Sequence, residues 1–395
     1  MQISNTQKKS TLFIFMIIGT AWMFDALDVG LLSYIMPLIH KEWLLSESQT
    51  GLVSSVSSIG MIFGGFLFGR LADKTSRSHA LVLSILVFSL GNFFLALSPG
   101  FYSFLVIRFI VGLGLGGELP VAATYVADLY SAKDRSKMLI LADSFWAVGW
   151  LVAAALSFLL SPVLGWRGLL ILTAFSAFFA LVVRKHVEDI SKQKTSLATL
   201  NGLDALKQSF TWHTPLLWIA WFMVMFSYYG MFMWLPSILA ARGNDVVEGF
   251  GYSTIIVVAQ LPGYFVAAWL SSKIKVRYVF AIYMAGTAVG ALWFGHVSGA
   301  LLTILAGCVL SFFNLGAYGA IIALTPQLYH NNVRGTMTGL AQGIGRIGAV
   351  VGPLLVGILI DHSVSVNSVF NIFMLSLLIG ALCVLIVPEN LHDED

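Results

Sequence analysis

Twelve apolar stretches, each long enough to cross a bilayer and joined by short polar connections, restrict this chain to a helical membrane fold. Windows of about 20 residues place them near 12–39, 50–71, 80–98, 102–127, 138–160, 167–183, 214–240, 250–271, 279–297, 301–325, 337–360 and 368–387. A helix satisfies its own backbone polar groups in hydrocarbon, so the expected class is an all-α membrane protein. Composition agrees: 395 residues that are 58% hydrophobic and only 10% charged are too apolar for a soluble fold and too many for a single anchor. The small net charge of +3 does not point to a nucleic-acid partner, because the basic residues lie in short loops. Cys308 and Cys383 sit inside apolar segments, so no disulfide framework or thiolate metal site is expected. The histidines fall at segment ends or in loops, which argues against a histidine metal site. The first run is too long for a signal peptide, carries Asp25 and Asp28, and lacks an A-x-A cleavage pattern, so it is expected to stay in the mature chain.

Lys and Arg divide unequally between the two sides. Lys8, Lys9, Arg70, Lys74, Arg77, Lys133, Arg135, Lys137, Lys273, Lys275, Arg277 and Arg334 fall on the side of the N-terminus, whereas the other side has only Lys41, Arg167 and Arg242. The positive-inside rule then predicts that both termini are cytoplasmic, in the cell (inner) membrane. The two halves also repeat at a fixed offset of 199 residues: Trp22 matches Trp221, Pro37 matches Pro236, Gly91 matches Gly290, Arg135 matches Arg334 and Gly149 matches Gly348. The predicted organisation is a six-helix bundle over 1–183, a polar linker over 184–213 and a second six-helix bundle over 214–395. Parallel repeats of this kind imply a site near the bilayer midplane, between the bundles.

The loops carry a family likeness. Gly69-Arg70-Leu71-Ala72-Asp73-Lys74-x-x-Arg77 resembles the signature after helix two of the major facilitator superfamily, with Ser76 where glycine is usual. The stretch Ala127 to Arg135, its counterpart Thr325 to Gly335 and Pro388-Glu389 resemble the sugar-porter and organic-ion branch, with Gln327 in place of the usual glutamate. FDALDVGLLSYI, RFIVGLGLGGELPVA, DSFWAVGW and GLAQGIGRIGAVVGP are similar to bacterial niacin (nicotinate) transporters. The resemblance implies two pseudo-symmetric bundles and import of a small aromatic monocarboxylate by alternating access. It implies no enzyme activity and no cofactor, and the chain is expected to act as a monomer.

The repeat makes the buried charges informative. Asp25, Asp28, Glu118 and Asp143 correspond to Val224, Ser227, Ala317 and Gln342, while Arg346 corresponds to Ala147. A charge near the middle of a membrane helix costs roughly 2.5–3.5 kcal/mol on insertion scales, so such residues usually face a bundle interior and serve a function. The four acids are candidates for proton coupling. Arg346, among the glycines of Gly343 to Gly348, is a candidate carboxylate anchor because its planar fork matches a carboxylate. A salt bridge from Arg346 to Asp25, Asp28 or Glu118 is the alternative, as is a pairing of one aspartate with Arg108. Asp143, Trp146 and Trp150 share a helix face that could stack a flat ring, and so do Tyr228 and Tyr229. Core packing is the competing reading for these aromatics. Asn314, Tyr318 and Gln342 are candidate polar contacts. Asp73, Lys74, Arg77, Asp128 and Arg135 are expected to form a cytoplasmic gate, and Arg108 an outer gate or structural pair. The GLGLGG run lacks a following Lys-Ser/Thr and no strand precedes it, so it is not a nucleotide loop. Another organic acid, a sugar or a drug remain open as substrates, as do facilitated diffusion in place of proton symport and a non-transporting sensor.

Overall fold

The computed structural model describes residues 5–75, 77–130, 132–186, 207, 210–242, 246–329 and 333–387. Most of the linker predicted over 184–213 lies outside the described residues, as do the side chains of Asp73, Arg77, Glu118, Asp128 and Arg135. The described helices are α1 (Asn5–Trp43), α2 (Glu47–Lys74), α3 (Arg77–Ala96), α4 (Phe101–Leu129), α5 (Ala132–Ala174), α6 (Ala177–His186), α7 (His213–Phe232), α8 (Leu235–Arg242), α9 (Val246–Val258), α10 (Gln260–Leu270), α11 (Val276–His296), α12 (Ala300–Leu324), α13 (Arg334–Asp361) and α14 (Val366–Ile386).

Ten described stretches are long and apolar enough to cross a membrane. One of them, Met138–Val183, has 46 residues. As a straight rod it would measure roughly 69 Å, more than twice the hydrocarbon thickness. It does not run straight, because Gly165 takes a left-handed φ of 60° that breaks the helical path. Beside this elbow the Glu42 carboxylate accepts from Trp166 Nε1 at 2.6 Å and from Arg167 Nη1 at 2.7 Å, tying it to the end of α1. The stretch is therefore two passes, and α4 supplies another. Each of the twelve sequence-predicted spans falls on helix.

Besides 167–183, divided between α5 and α6, two predicted continuous spans, 214–240 and 250–271, are each divided in the structure. The cause in these two is proline: Pro236 and Pro262 have no N–H to offer the carbonyls of Phe232 and Val258, and α7 and α9 end at those two residues. Trp234, in the first break, donates its indole N–H to Pro353 O at 3.0 Å. At the equivalent Pro37, α1 runs on unbroken.

Apolar side chains cover the outside as well as the core. Phe63, Phe66, Leu67, Leu97, Val289 and Leu382 are all exposed. A surface of this kind is stable against lipid and not against water.

Helices approach closely where glycine removes the side chain. A Cβ added at Gly64 would lie 2.1 Å from Leu113 O, one at Gly91 would lie 2.6 Å from Val111 Cγ2, and one at Gly149 would lie 2.3 Å from Met23 O. The second half repeats all three contacts at the same offset of 199 residues: Gly263 meets Phe312 O at 2.0 Å, Gly290 meets Leu310 Cα at 2.6 Å and Gly348 meets Phe222 O at 2.3 Å. Gly112 and Gly116, from the glycine run of α4, likewise face the Ser57 and Met61 carbonyls of α2. The sequence repeat is thus a repeat of helix–helix contacts, with α1 on α5 as α7 on α13, and α2 on α4 as α10 on α12.

The halves meet along α2 with α13 and along α5 with α9, α10 and α12. At the end of the molecule away from residue 5, the Asp361 carboxylate sits on the first turn of α2. It accepts from Glu47 N at 3.0 Å, from Ser48 N at 2.8 Å and from the Ser48 hydroxyl. Ser55 Oγ donates to Val350 O at 2.6 Å, and Tyr34 and Ser253 share a 2.8 Å hydroxyl bond between α1 and α9. Gly51 and Gly357 let backbone meet backbone across the same seam. That end is closed.

Candidate functional site

Between the halves lies a cluster of aromatic and charged side chains that apolar packing alone does not explain. Arg346 projects from α13, one turn beyond the half-buried Gln342. Its Nη1 donates to the Tyr229 hydroxyl at 3.2 Å and reaches Met61 Sδ, on α2 of the other half, at 3.0 Å. A guanidinium has five N–H donors, and among the described residues these are its two hydrogen-bond partners. A thioether is a weak acceptor, so most of the donor capacity is available to an anion. Tyr318 and Asp25 lie near the same guanidinium.

Tyr228 forms the floor of the cluster. Its hydroxyl accepts from Trp146 Nε1 at 2.6 Å, joining α7 to α5 across the seam. Its ring lies edge-on to Trp150 (6.0 Å) and Tyr229 (5.2 Å) and stacks on Tyr318 at 6.4 Å. Trp221 packs edge-on to Tyr318 and donates to Thr325 Oγ1 at 2.8 Å, which makes it part of the second half's own packing. Asp143, fully buried on α5, accepts from the Tyr264 hydroxyl of α10 at 2.8 Å, a second bond across the seam. Asn314 is fully buried, and neither its Oδ1 nor its Nδ2 has a hydrogen-bond partner among the described residues.

The structure separates the two aspartates of α1. Asp25 is fully buried and within electrostatic reach of Arg346 and Tyr229. Asp28 is turned away from that cluster. Its Oδ2 lies 2.8 Å from Arg108 Nη2 and its Oδ1 accepts from Asn92 Nδ2 at 2.5 Å, so α1, α3 and α4 of one half are joined by a buried ion pair. Arg108 therefore meets Asp28 inside the first half, the pairing left open in the sequence.

Seven of the eight expected substrate residues, Arg346, Trp146, Trp150, Tyr228, Tyr229, Tyr318 and Asn314, are brought to the seam between the halves or within one turn of it, and the eighth, Gln342, flanks Arg346. Asp25 and Asp143 join them. Glu118 lies on α4, but its side chain is outside the described residues; so are those of Asp73, Arg77, Asp128 and Arg135, leaving Lys74, which is exposed at the end of α2. Sequence reasoning missed Met61 and Tyr264. Nothing in an apolar run marks a methionine as an arginine's neighbour, and Tyr264 gains meaning only from Asp143 on a distant helix. Among the described residues no group of His, Cys, Asp and Glu could hold a metal ion.

Comparison with known proteins agrees with this architecture. A bacterial homologue of the human lysosomal transporter Spinster, crystallised in an inward-facing and unoccupied conformation, superposes with a TM-score of 0.72 over 95% of each chain at 15% identity. The "Putative niacin/nicotinamide transporter NiaP" of Bacillus subtilis is 42% identical over 94% of both chains. The "Niacin transporter NiaP" of Acinetobacter baylyi is 34% identical over 95% of this chain and 93% of its own. A "Gentisate transporter" of Corynebacterium glutamicum is 30% identical over 91% of this chain and 84% of its own. The Major Facilitator Superfamily profile matches residues 18–259 and 249–394. Twelve spans, six-helix repeats and a charged, aromatic centre between them are what a secondary transporter of that kind requires, and the chain belongs to the Major Facilitator Superfamily.

Proposed function

We propose that this transporter carries nicotinate, or a closely related small aromatic monocarboxylate, by alternating access. The observation that carries the reading is Arg346: a cation deep in the seam, held by a tyrosine and a thioether, beside a box of Tyr228, Tyr229, Tyr318, Trp146 and Trp150. The guanidinium matches a carboxylate and the aromatic faces match a flat ring. Relatives named for niacin and gentisate transport support it, since both compounds are aromatic rings bearing one carboxylate.

Arg346 contacts Tyr229 in its own half and Met61 in the other, so a bound carboxylate would bridge the halves. A ligand biases a conformational equilibrium only through unequal affinity for the two states, and a contact shared across the seam supplies that inequality. Asp25 and Asp143 are the acids placed to carry a coupled proton, while Asp28 braces the first half. Both termini face the cytoplasm in this reading, with the closed, Asp361-bearing end outward.

The test is uptake of radiolabelled nicotinate into proteoliposomes, with unlabelled benzoate, nicotinamide and glucose as competitors. Saturable uptake that benzoate inhibits and glucose does not is expected. Binding without accumulation would make the chain a sensor, and inhibition by glucose would assign a sugar.

A further inference from the structure

α10 runs beside α12, as the Gly263–Phe312 contact requires, and the end of α9 continues that packing, with a Cβ added at Gly307 lying 2.4 Å from Ile256 Cδ1. Those two contacts bracket Gln260, which lies between Ile256 and Gly263, against the stretch of α12 between Gly307 and Phe312 that carries Ser311, with Asn314 on the next turn. All three side chains are fully buried. Among the described residues, Gln260 Oε1 and Nε2, Ser311 Oγ, and Asn314 Oδ1 and Nδ2 have no hydrogen-bond partner. Buried polar groups in folded proteins are almost always paired. Three unpaired neighbours in an apolar interior point to a ligand.

Their placement says which part of a ligand they would meet. Gln260 precedes Tyr264 by four residues, and Tyr264 bonds Asp143. Asn314 precedes Tyr318 by four, and Tyr318 stacks on Tyr228 and lies near Arg346. Residues four apart share a helix face and lie roughly 6 Å apart along the axis, about the length of one aromatic ring with its carboxylate. Asn314 therefore stands about one ring's length from Tyr318, beside Arg346, and Gln260 the same distance from Tyr264, which bonds Asp143.

We propose that Gln260, Ser311 and Asn314 form a hydrogen-bonding subsite for the ring nitrogen of a pyridine carboxylate whose carboxylate is held by Arg346. This rests on the aromatic-carboxylate reading given above and adds the source of its selectivity. An amide N–H can donate to the ring-nitrogen lone pair. A carbocyclic acid presents only C–H there and leaves the amides unpaired. Sites that hydrogen-bond a polar group reject analogues lacking it far more strongly than apolar pockets discriminate size.

Ligand-induced thermal shifts of the purified full-length chain in detergent, titrated with nicotinate and separately with benzoate, test the proposal. The wild type should bind nicotinate roughly tenfold or more tightly than benzoate. Gln260→Leu and Asn314→Leu should bring that ratio towards one by weakening nicotinate alone. Their ligand-free Tm should not fall, because no protein hydrogen bond is lost. An unchanged ratio in both variants would overturn the subsite. So would equal loss of both acids together with a lower ligand-free Tm, which marks a structural role. A wild type that binds both acids equally removes the subsite and keeps the aromatic-carboxylate reading. A wild type stabilised by neither acid removes both.

Discussion

Arg108 is fully buried and Arg346 half-buried, and their surroundings differ. Arg108 is neutralised by Asp28 at 2.8 Å, with Asn92 on the remaining carboxylate oxygen. Removing one partner strands a charge, which typically costs 3–5 kcal/mol, whereas replacing both can be nearly neutral. Arg108→Met should therefore lower the Tm and the folded yield sharply, and Asp28→Leu combined with Arg108→Met should recover most of the loss. A double variant no more stable than the single one would refute the brace. Arg346 meets only a hydroxyl and a thioether among the described residues. Arg346→Lys keeps the charge and loses the planar fork, so the Tm should hardly move while the KM for nicotinate rises by roughly one to two orders of magnitude. Uptake kinetics at matched protein density measure this; an unaltered KM would take Arg346 out of the site.

At the scale of elements, the glycine contacts and the end of α2 decide how the helices can sit. A Cβ at Gly64 or Gly263 would collide with a carbonyl of the neighbouring helix, so both pairs would have to move apart. Gly64→Val and Gly263→Val should each destabilise by about 1–3 kcal/mol or more, by similar amounts, because the contact is the same contact repeated. The Tm of the two variants provides the comparison. Asp361 behaves as an N-cap supplied by another helix, accepting from two amides at the start of α2. Losing those bonds between the halves, Asp361→Ala should raise the population open at that end several-fold. A cysteine at Ser55, in a background lacking Cys308 and Cys383, reports it through its rate of labelling by an impermeant maleimide. No acceleration would mean that the apolar seam alone holds the end shut.

For the whole molecule, two internally braced halves meet through polar bonds that include Asp143 with Tyr264, Trp146 with Tyr228, Tyr34 with Ser253, Ser55 with Val350, Arg346 with Met61 and Asp361 with α2. Rocking one half against the other breaks this set while leaving each half's glycine contacts intact. Because Asp143 lies on the seam, its protonation is felt by both halves. With nicotinate equal on both sides, an inward proton gradient should drive accumulation in proteoliposomes. Asp143→Asn should abolish that accumulation while keeping nicotinate exchange. Uptake indifferent to the gradient in the wild type would leave a uniporter and remove the coupling role of the acids.

The sequence by itself determined the twelve crossings, the six-plus-six repeat and the buried charges. Each follows from local physics: length of apolar run, helical period, and the cost of charge in hydrocarbon. The repeat also showed that Trp22 and Pro37 have counterparts whereas Asp25, Asp28 and Arg346 do not, which singled out the charges before any contact was known. Partners were beyond its reach. Asp25 and Asp28 share one face of one helix, and no local rule says that the first lies near Arg346 while the second is paired with an arginine three helices away. Likewise Met61, Tyr264 and Gln260 sit in ordinary apolar sequence and become notable only through neighbours on distant helices. Only the tertiary structure decided these, because a pairing depends on the register between helices, and that register is set by where glycines let two backbones touch.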